Sequence, residues 1–198
     1  ELINPDGSKG FQINAGLRIR GGFSRDTSNP KHALRILLRD TYGSTTLNYP
    51  LFQSMDGTDA TRGFDIRTFE NYSWSFQGDG NNFIGLRDQF SRDVQNAMGY
   101  NSERGDMYNL YIDGQYWGIY NTAERPEADY AVSYWGGTTD DYDTIKVDPQ
   151  SDYTILATDG NTAGWNAFWT MTNQLRAAAD AGQDTTALYQ KLQGNNPD

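Results

Sequence analysis

The stretch that most constrains the fold is Asn109 to Glu127, NLYIDGQYWGIYNTAERPE, in which turn chemistry and strand pattern coincide. Asp113-Gly114 is the two-residue signal of a tight hairpin with both central residues at positive φ. Pairing outward from that turn predicts Ile112 beside Gln115, Leu110 beside Trp117 and Tyr108 beside Ile119 on a core face. Tyr111, Tyr116, Asn109, Gly118 and Tyr120 then line a tyrosine-rich opposite face. Continuing the alternation carries Glu124 to that same side, just before Pro126 opens a short helix that Gly136-Gly137 ends.

Upstream of the hairpin, FQINAGLRIR (11–20) alternates apolar and polar residues as a half-buried strand does, and HALRILLR (32–39) reads as a second strand across a glycine-started loop. Gly21 and Gly22 permit close backbone approach to a ligand, but the spacing matches neither common phosphate-loop motif. The segment YPLF (49–52) is an apolar plug for the core, and GFDIRTF (63–69) is a third strand. Asn82 is placed to cap a helix whose Leu86, Phe90, Val94, Ala97 and Met98 recur at helical spacing, predicting an apolar face against the sheet. After the hairpin, DDYDTIKV and DYTILAT predict two short strands around Pro149. Asn161 opens a helix with a Trp165, Phe168, Trp169, Thr172, Leu175 stripe read as core or as a sugar platform, and TTALYQKLQ is a last helix. The tally is α+β, a mainly antiparallel sheet with flanking helices, in one domain over residues 1–198.

Composition narrows the function. A net charge of −10 argues against a general nucleic-acid binder, which needs a basic footprint. With no cysteine and a single histidine, His32, neither a thiolate site nor a multi-histidine metal site can form. No run approaches the roughly 20 apolar residues of a transmembrane segment. Richness in Gly, Asn, Asp, Thr and Tyr resembles secreted bacterial proteins and suggests an extracellular or cell-surface location. The opening ELINPDG, without an initiator Met or a leader, reads as the start of a piece of a longer protein.

Several residues stand out by type and position. Arg18 and Arg20 alternate on the first strand, with Arg25 just after it, and their planar forks either grip phosphate or balance nearby aspartates. Glu124 is either a site carboxylate or a helix N-terminal acid favoured by the macrodipole. The acidic run Thr138–Thr144 and the loop Gly78–Asn82 offer oxygen ligands to a hard cation, or serve as turn formers.

Two motifs in the right order, GLRIRGGFSRDTSNPKHALRILLR and LYIDGQYWGIYNTAERPEADYA, resemble the CotH family of spore-coat and secreted atypical kinases over about Gly16 to Lys146. The resemblance implies a distantly protein-kinase-like fold that binds ATP with Mg²⁺ and, in the complete protein, phosphorylates a protein acceptor. It marks Lys31 and Glu124 as nucleotide-site residues that meet as an ion pair or share a pocket, by the logic of the kinase lysine–glutamate pair. It adds Lys146 after the short helix and, with Arg18 and Arg20, completes the cofactor-binding set. Arg87 and Asp88 match a family Leu-Arg-Asp at the start of a helix, where Asp88 caps or pairs. The family's metal-binding and catalytic aspartates belong to a Trp-Asp-x-Asp-like segment that this sequence lacks, so no catalytic residue is assigned, the metal ligands stay unassigned, and the chain is expected to carry the N-terminal, nucleotide-facing part. The alternative is a non-catalytic extracellular module, a pseudokinase or a carbohydrate- or surface-binding domain using exposed Tyr and Trp.

Overall fold

The structure, a computed structural model, describes residues 1–52, 56–69, 84–148 and 152–195. The expected Asn82 cap and the Gly78–Asn82 loop lie outside these residues. The chain forms two compact units, Glu1–Gly136 and Gly137–Asp198.

The first unit is built on an antiparallel sheet. Its strands are β1 (Gly16–Ile19), β2 (Leu34–Leu37), β5 (Gly63–Arg67), β6 (Met107–Ile112) and β7 (Gln115–Ala123), in the order β1-β2-β5-β7-β6. A small ladder of β3 (Leu47–Asn48) with β4 (Ala60–Thr61) stands apart from it. Register divides the sheet into two chemically different faces. Leu17 pairs with Ile36 and Ile36 with Phe64, and on that side Leu38, Leu47, Leu51, Phe52 and Phe64 make the core. The plug expected of YPLF is present, with Phe52 fully buried at 0% exposure. Phe11, Ile13 and Ala15 pack on the same core, although the regular first strand starts only at Gly16. The opposite face carries Arg18 beside Arg35, Arg35 beside Asp65, and Arg67 two residues further along β5.

The β6–β7 hairpin has the expected turn, with Asp113 at φ 50° and Gly114 at φ 77°. Its register departs from simple outward pairing. Ile112 faces Gln115 and Tyr111 faces Tyr116, but Leu110 then faces Gly118, so that Trp117 is the extra residue of a β-bulge. Beyond the bulge the expected faces exchange. Tyr120 pairs with Tyr108 and is 2% exposed, whereas Trp117 and Ile119, expected in the core, are about half exposed. Gly118, at φ 108°, takes up the conformation the irregularity needs.

Helix α1 (Arg87–Ala97) also reverses its expected orientation. Gln89 and Arg92 are its buried residues, while Leu86, Phe90, Val94 and Met98 are exposed, Phe90 at 67%. The reason is electrostatic: the inner face of the helix is held by ion pairs, and its apolar stripe is left outward. Helix α2 (Ala128–Trp135) follows Pro126 closely, with Glu127 as N-cap, and ends at Gly136, whose positive φ of 79° glycine adopts without steric cost.

The second unit pairs β8 (Thr144–Asp148) with β9 (Thr154–Asp159), the two strands expected around Pro149, and follows them with α3 (Ala163–Asp180) and α4 (Thr186–Leu192). Asp143 accepts a hydrogen bond from the Asn161 N–H at 2.7 Å, and the Asn161 side chain accepts one from the Ala163 N–H at 2.8 Å, which starts α3. None of the described residues of this unit is buried. Trp165 and Trp169 stack at 6.2 Å, and Phe168 and Trp169 are exposed, so the α3 stripe is not the buried core expected of it. No helix among the described residues is long and apolar enough to cross a membrane.

Candidate functional site

The polar face of the first unit is a connected set of ions. Asp65 receives Arg35 Nε at 2.7 Å and lies 3.1 Å from Arg20 Nε, so one carboxylate holds cations from β2 and from the end of the first strand. Arg67 continues the row: its guanidinium lies 3.1 Å from Asp88 of α1 and 3.6 Å from Glu103, in the segment before β6. Arg92, one helical turn after Asp88, closes the set at 2.6 Å from Asp88 and 3.4 Å from Glu103. Among the described residues, four arginines thus meet three carboxylates in these ion pairs, an excess of positive charge within the set.

Burial and pairing show in the ionisation of these groups. Burial lowers the Arg20 pKa, while the hydrogen bond to Asp65 raises that of Arg35. Burial outweighs both neighbouring arginines at Glu103 and raises its pKa. Arg18 shares the side of Arg35 and makes no ion pair among the described residues; its side chain is exposed. An accessible guanidinium beside a row of anchored ones suits oxyanion binding, because the fork geometry matches phosphate oxygens.

Lys31 has a different setting. The loop from Gly21 to His32 is tied down by the Ser24 hydroxyl, which donates to the Arg20 carbonyl at 2.5 Å, and by His32 Nδ1, which donates to the Ser24 carbonyl. Lys31 leaves this loop to donate to the carbonyl of Ile119, with its ammonium 4.2 Å from the centre of the Tyr120 ring and 5.4 Å from that of Phe69. The β5–β7 pairing stops at Arg67 opposite Asn121, short of Ile119, which leaves space for the lysine there. Partial burial lowers the Lys31 pKa.

Glu124 lies just past the C-terminal end of β7 and is 3% exposed. It accepts the Arg104 N–H at 2.9 Å and the Tyr134 hydroxyl, and its carboxylate is 3.6 Å from the Arg104 guanidinium. Tyr134 in turn accepts the Thr58 N–H at 3.0 Å, and Arg104 lies over the Tyr134 ring at 4.0 Å. Burial raises the Glu124 pKa against these stabilising contacts. The residue lines a cleft of about 570 Å³ with Thr58, Arg62, Arg125, Asp129 and Tyr134.

The expected Lys31–Glu124 pair is not formed. The Ile119 carbonyl that holds Lys31 and the Glu124 residue are separated by roughly 16 Å of extended strand, and Lys31 does not line the Glu124 cleft. Arg18 and Arg20 do fall together on the polar face, whereas Lys146 is exposed on β8 in the second unit. Sequence reasoning passed over Asp65, Arg67, Arg92 and Glu103. The available signal was the alternation of Asp65 and Arg67 in GFDIRTF, which puts two opposite charges on one side of a strand whose other side is apolar.

Metal donors are sparse: no group of three acidic, histidine or cysteine residues converges among the described residues. In the acidic run, Asp141 accepts the Thr138 N–H and hydroxyl at 2.7 and 3.0 Å, and Asp143 serves the Asn161 backbone. These carboxylates organise turns.

No curated protein and no solved structure matches the chain. Residues 17–197, which span both motifs, the ion-paired face and nearly all of the second unit, match the model of the CotH kinase protein family, and the chain belongs to that family.

Proposed function

We propose that this chain is the nucleotide-facing part of a secreted or cell-surface CotH-like kinase, which in its complete form transfers the γ-phosphoryl group of ATP to a protein acceptor. The observation that carries this reading is the cationic excess on one face of the sheet, with Arg18 accessible and Arg20 and Arg35 anchored on Asp65 beside it. Such a face fits a polyphosphate. Arg18 and Arg20 would contact phosphate oxygens, and Asp65 would hold the Arg20 and Arg35 forks in place so that little side-chain entropy is lost on binding. Lys31 and Glu124 remain candidates through the family resemblance, as separate residues, and so does Lys146. In transfer, an acceptor hydroxyl oxygen bonds to the γ-phosphorus as the bond to the β-phosphate oxygen breaks, yielding ADP and a proton. A divalent ion such as Mg²⁺ is expected from the family. Among the described residues no group of three acidic, histidine or cysteine side chains is placed to hold it.

A second reading, a non-catalytic surface-binding module, draws on the exposed aromatic residues at the hairpin end, where Tyr111 and Tyr116 sit 5.3 Å apart beside Trp117. Calorimetric titration of the full-length protein with ATP separates the two. The kinase reading expects saturable binding that Arg18→Ala weakens without lowering the melting temperature; a wild-type protein that does not bind ATP would leave the module reading in its place.

A further inference from the structure

We propose that Arg67 is the strand-borne cation that grips the nucleotide phosphates and that Asp88 is its positioning residue. This inference rests on the nucleotide reading above and names a contact within that site.

A kinase-type phosphate contact needs a cation fixed on a strand, an acidic partner on a neighbouring helix that aims it, and an open side for the ligand. Lys31 lacks the second of these, since its ammonium is held by a backbone carbonyl and an aromatic ring, and no carboxylate pairs with it among the described residues. Arg67 has all three. It ends β5, the central strand of the five, and its register opposite Asn121 sets it on the side of Arg18, Arg35 and Asp65. Its partner Asp88 comes from α1, the helix that follows β5, at 3.1 Å. Asp88 is itself oriented by Arg92 at 2.6 Å, so the aiming carboxylate is preset before any ligand arrives. The Arg67 side chain keeps 27% exposure, and a guanidinium with five donors can serve two carboxylates and still present N–H groups outward. The chemistry is strand-to-helix ion pairing beside an excess of arginine, which favours an anion with several oxygens over a single carboxylate.

The test compares ATP with adenosine on the full-length protein by calorimetry, with thermal unfolding recorded without ligand. For Arg67→Gln, ATP binding should weaken roughly 10- to 100-fold, as for loss of a charge-assisted contact, while adenosine binding stays at the wild-type value. Asp88→Asn should weaken ATP by a smaller factor, again sparing adenosine. Should Arg67→Gln fail to fold, Arg67→Lys keeps the charge and loses the fork, and is expected to lose ATP affinity several-fold with adenosine unchanged. A lower melting temperature with unaltered ATP affinity would make Arg67 a purely structural ion pair and overturn the assignment, as would equal losses for ATP and adenosine. A wild-type protein with no affinity for ATP overturns the nucleotide reading itself, a result visible before any variant is made.

Discussion

At Glu124 a carboxylate is almost completely removed from water, and its partners offset that only in part. Burial of the charged form is the largest influence on it; the Tyr134 hydroxyl, the Arg104 N–H and the Arg104 guanidinium act in the other direction. The folded-state pKa therefore lies above the ordinary value of 4.5. A group of this kind binds its proton more tightly in the folded than in the unfolded state, so it favours folding below the ordinary pKa and loses that contribution as pH rises through the raised one. Glu124→Gln removes the titration while keeping the shape. Thermal unfolding from pH 7 down to about pH 4.5 should show the wild type gaining stability relative to the Gln variant as the solution becomes more acidic. A wild type that loses stability relative to the Gln variant on acidification would mean that Arg104 and Tyr134 hold the carboxylate ionised and that its pKa is lowered. Glu103, raised by burial as well, is present in both proteins and drops out of the comparison.

At the level of elements, the order of strands and helices was legible in the sequence, while their faces were less so. The Asp113-Gly114 turn announced itself because few residues tolerate two successive positive φ values, and both are there. The faces beyond it were misread because a β-bulge at Trp117 adds one residue, and parity arguments fail by a whole face when one residue is inserted. Helix α1 shows a second limit. Helical spacing identifies an apolar stripe, but only the tertiary ion pairs of Asp88 and Arg92 decide that the polar side faces inward. The candidate site was half legible for the same reason: Arg18 and Arg20 were readable as alternate cations, whereas their convergence with Arg35, Asp65 and Arg67 depends on long-range register. The turn itself is testable apart from any packing, because a Cβ at Gly114 would meet nothing within 4 Å. Gly114→Val should therefore destabilise the fold by about 1–2 kcal/mol from backbone strain alone, seen as a lower denaturation midpoint with an unchanged slope. An unshifted midpoint would show that the turn relaxes to another form at no cost.

At the scale of the molecule, the carboxylates that meet on the arginine-rich face among the described residues are already engaged. Asp65 lies between Arg20 and Arg35, Asp88 between Arg67 and Arg92, and Glu103 is shared by the latter two. A carboxylate whose oxygens are engaged by two guanidinium groups is a poor metal ligand, since the cations compete for those oxygens, and it has little room to receive the proton of an acceptor hydroxyl. Glu124 is spoken for by Arg104 and Tyr134. On the proposed reading the arginine-rich face holds a nucleotide, whereas transfer also demands carboxylates that hold metal ions and a group that orients the acceptor hydroxyl. A polypeptide of residues 1–198 is therefore expected to bind ATP and to leave its γ-phosphate in place. Incubation with γ-labelled ATP and Mg²⁺ or Mn²⁺, with and without a generic protein acceptor, should give no labelled protein, while the same sample shows saturable binding of ATP. Metal-dependent labelling by this polypeptide would show that carboxylates within residues 1–198 support transfer, and would overturn the proposal that these residues bind the nucleotide without transferring its phosphate.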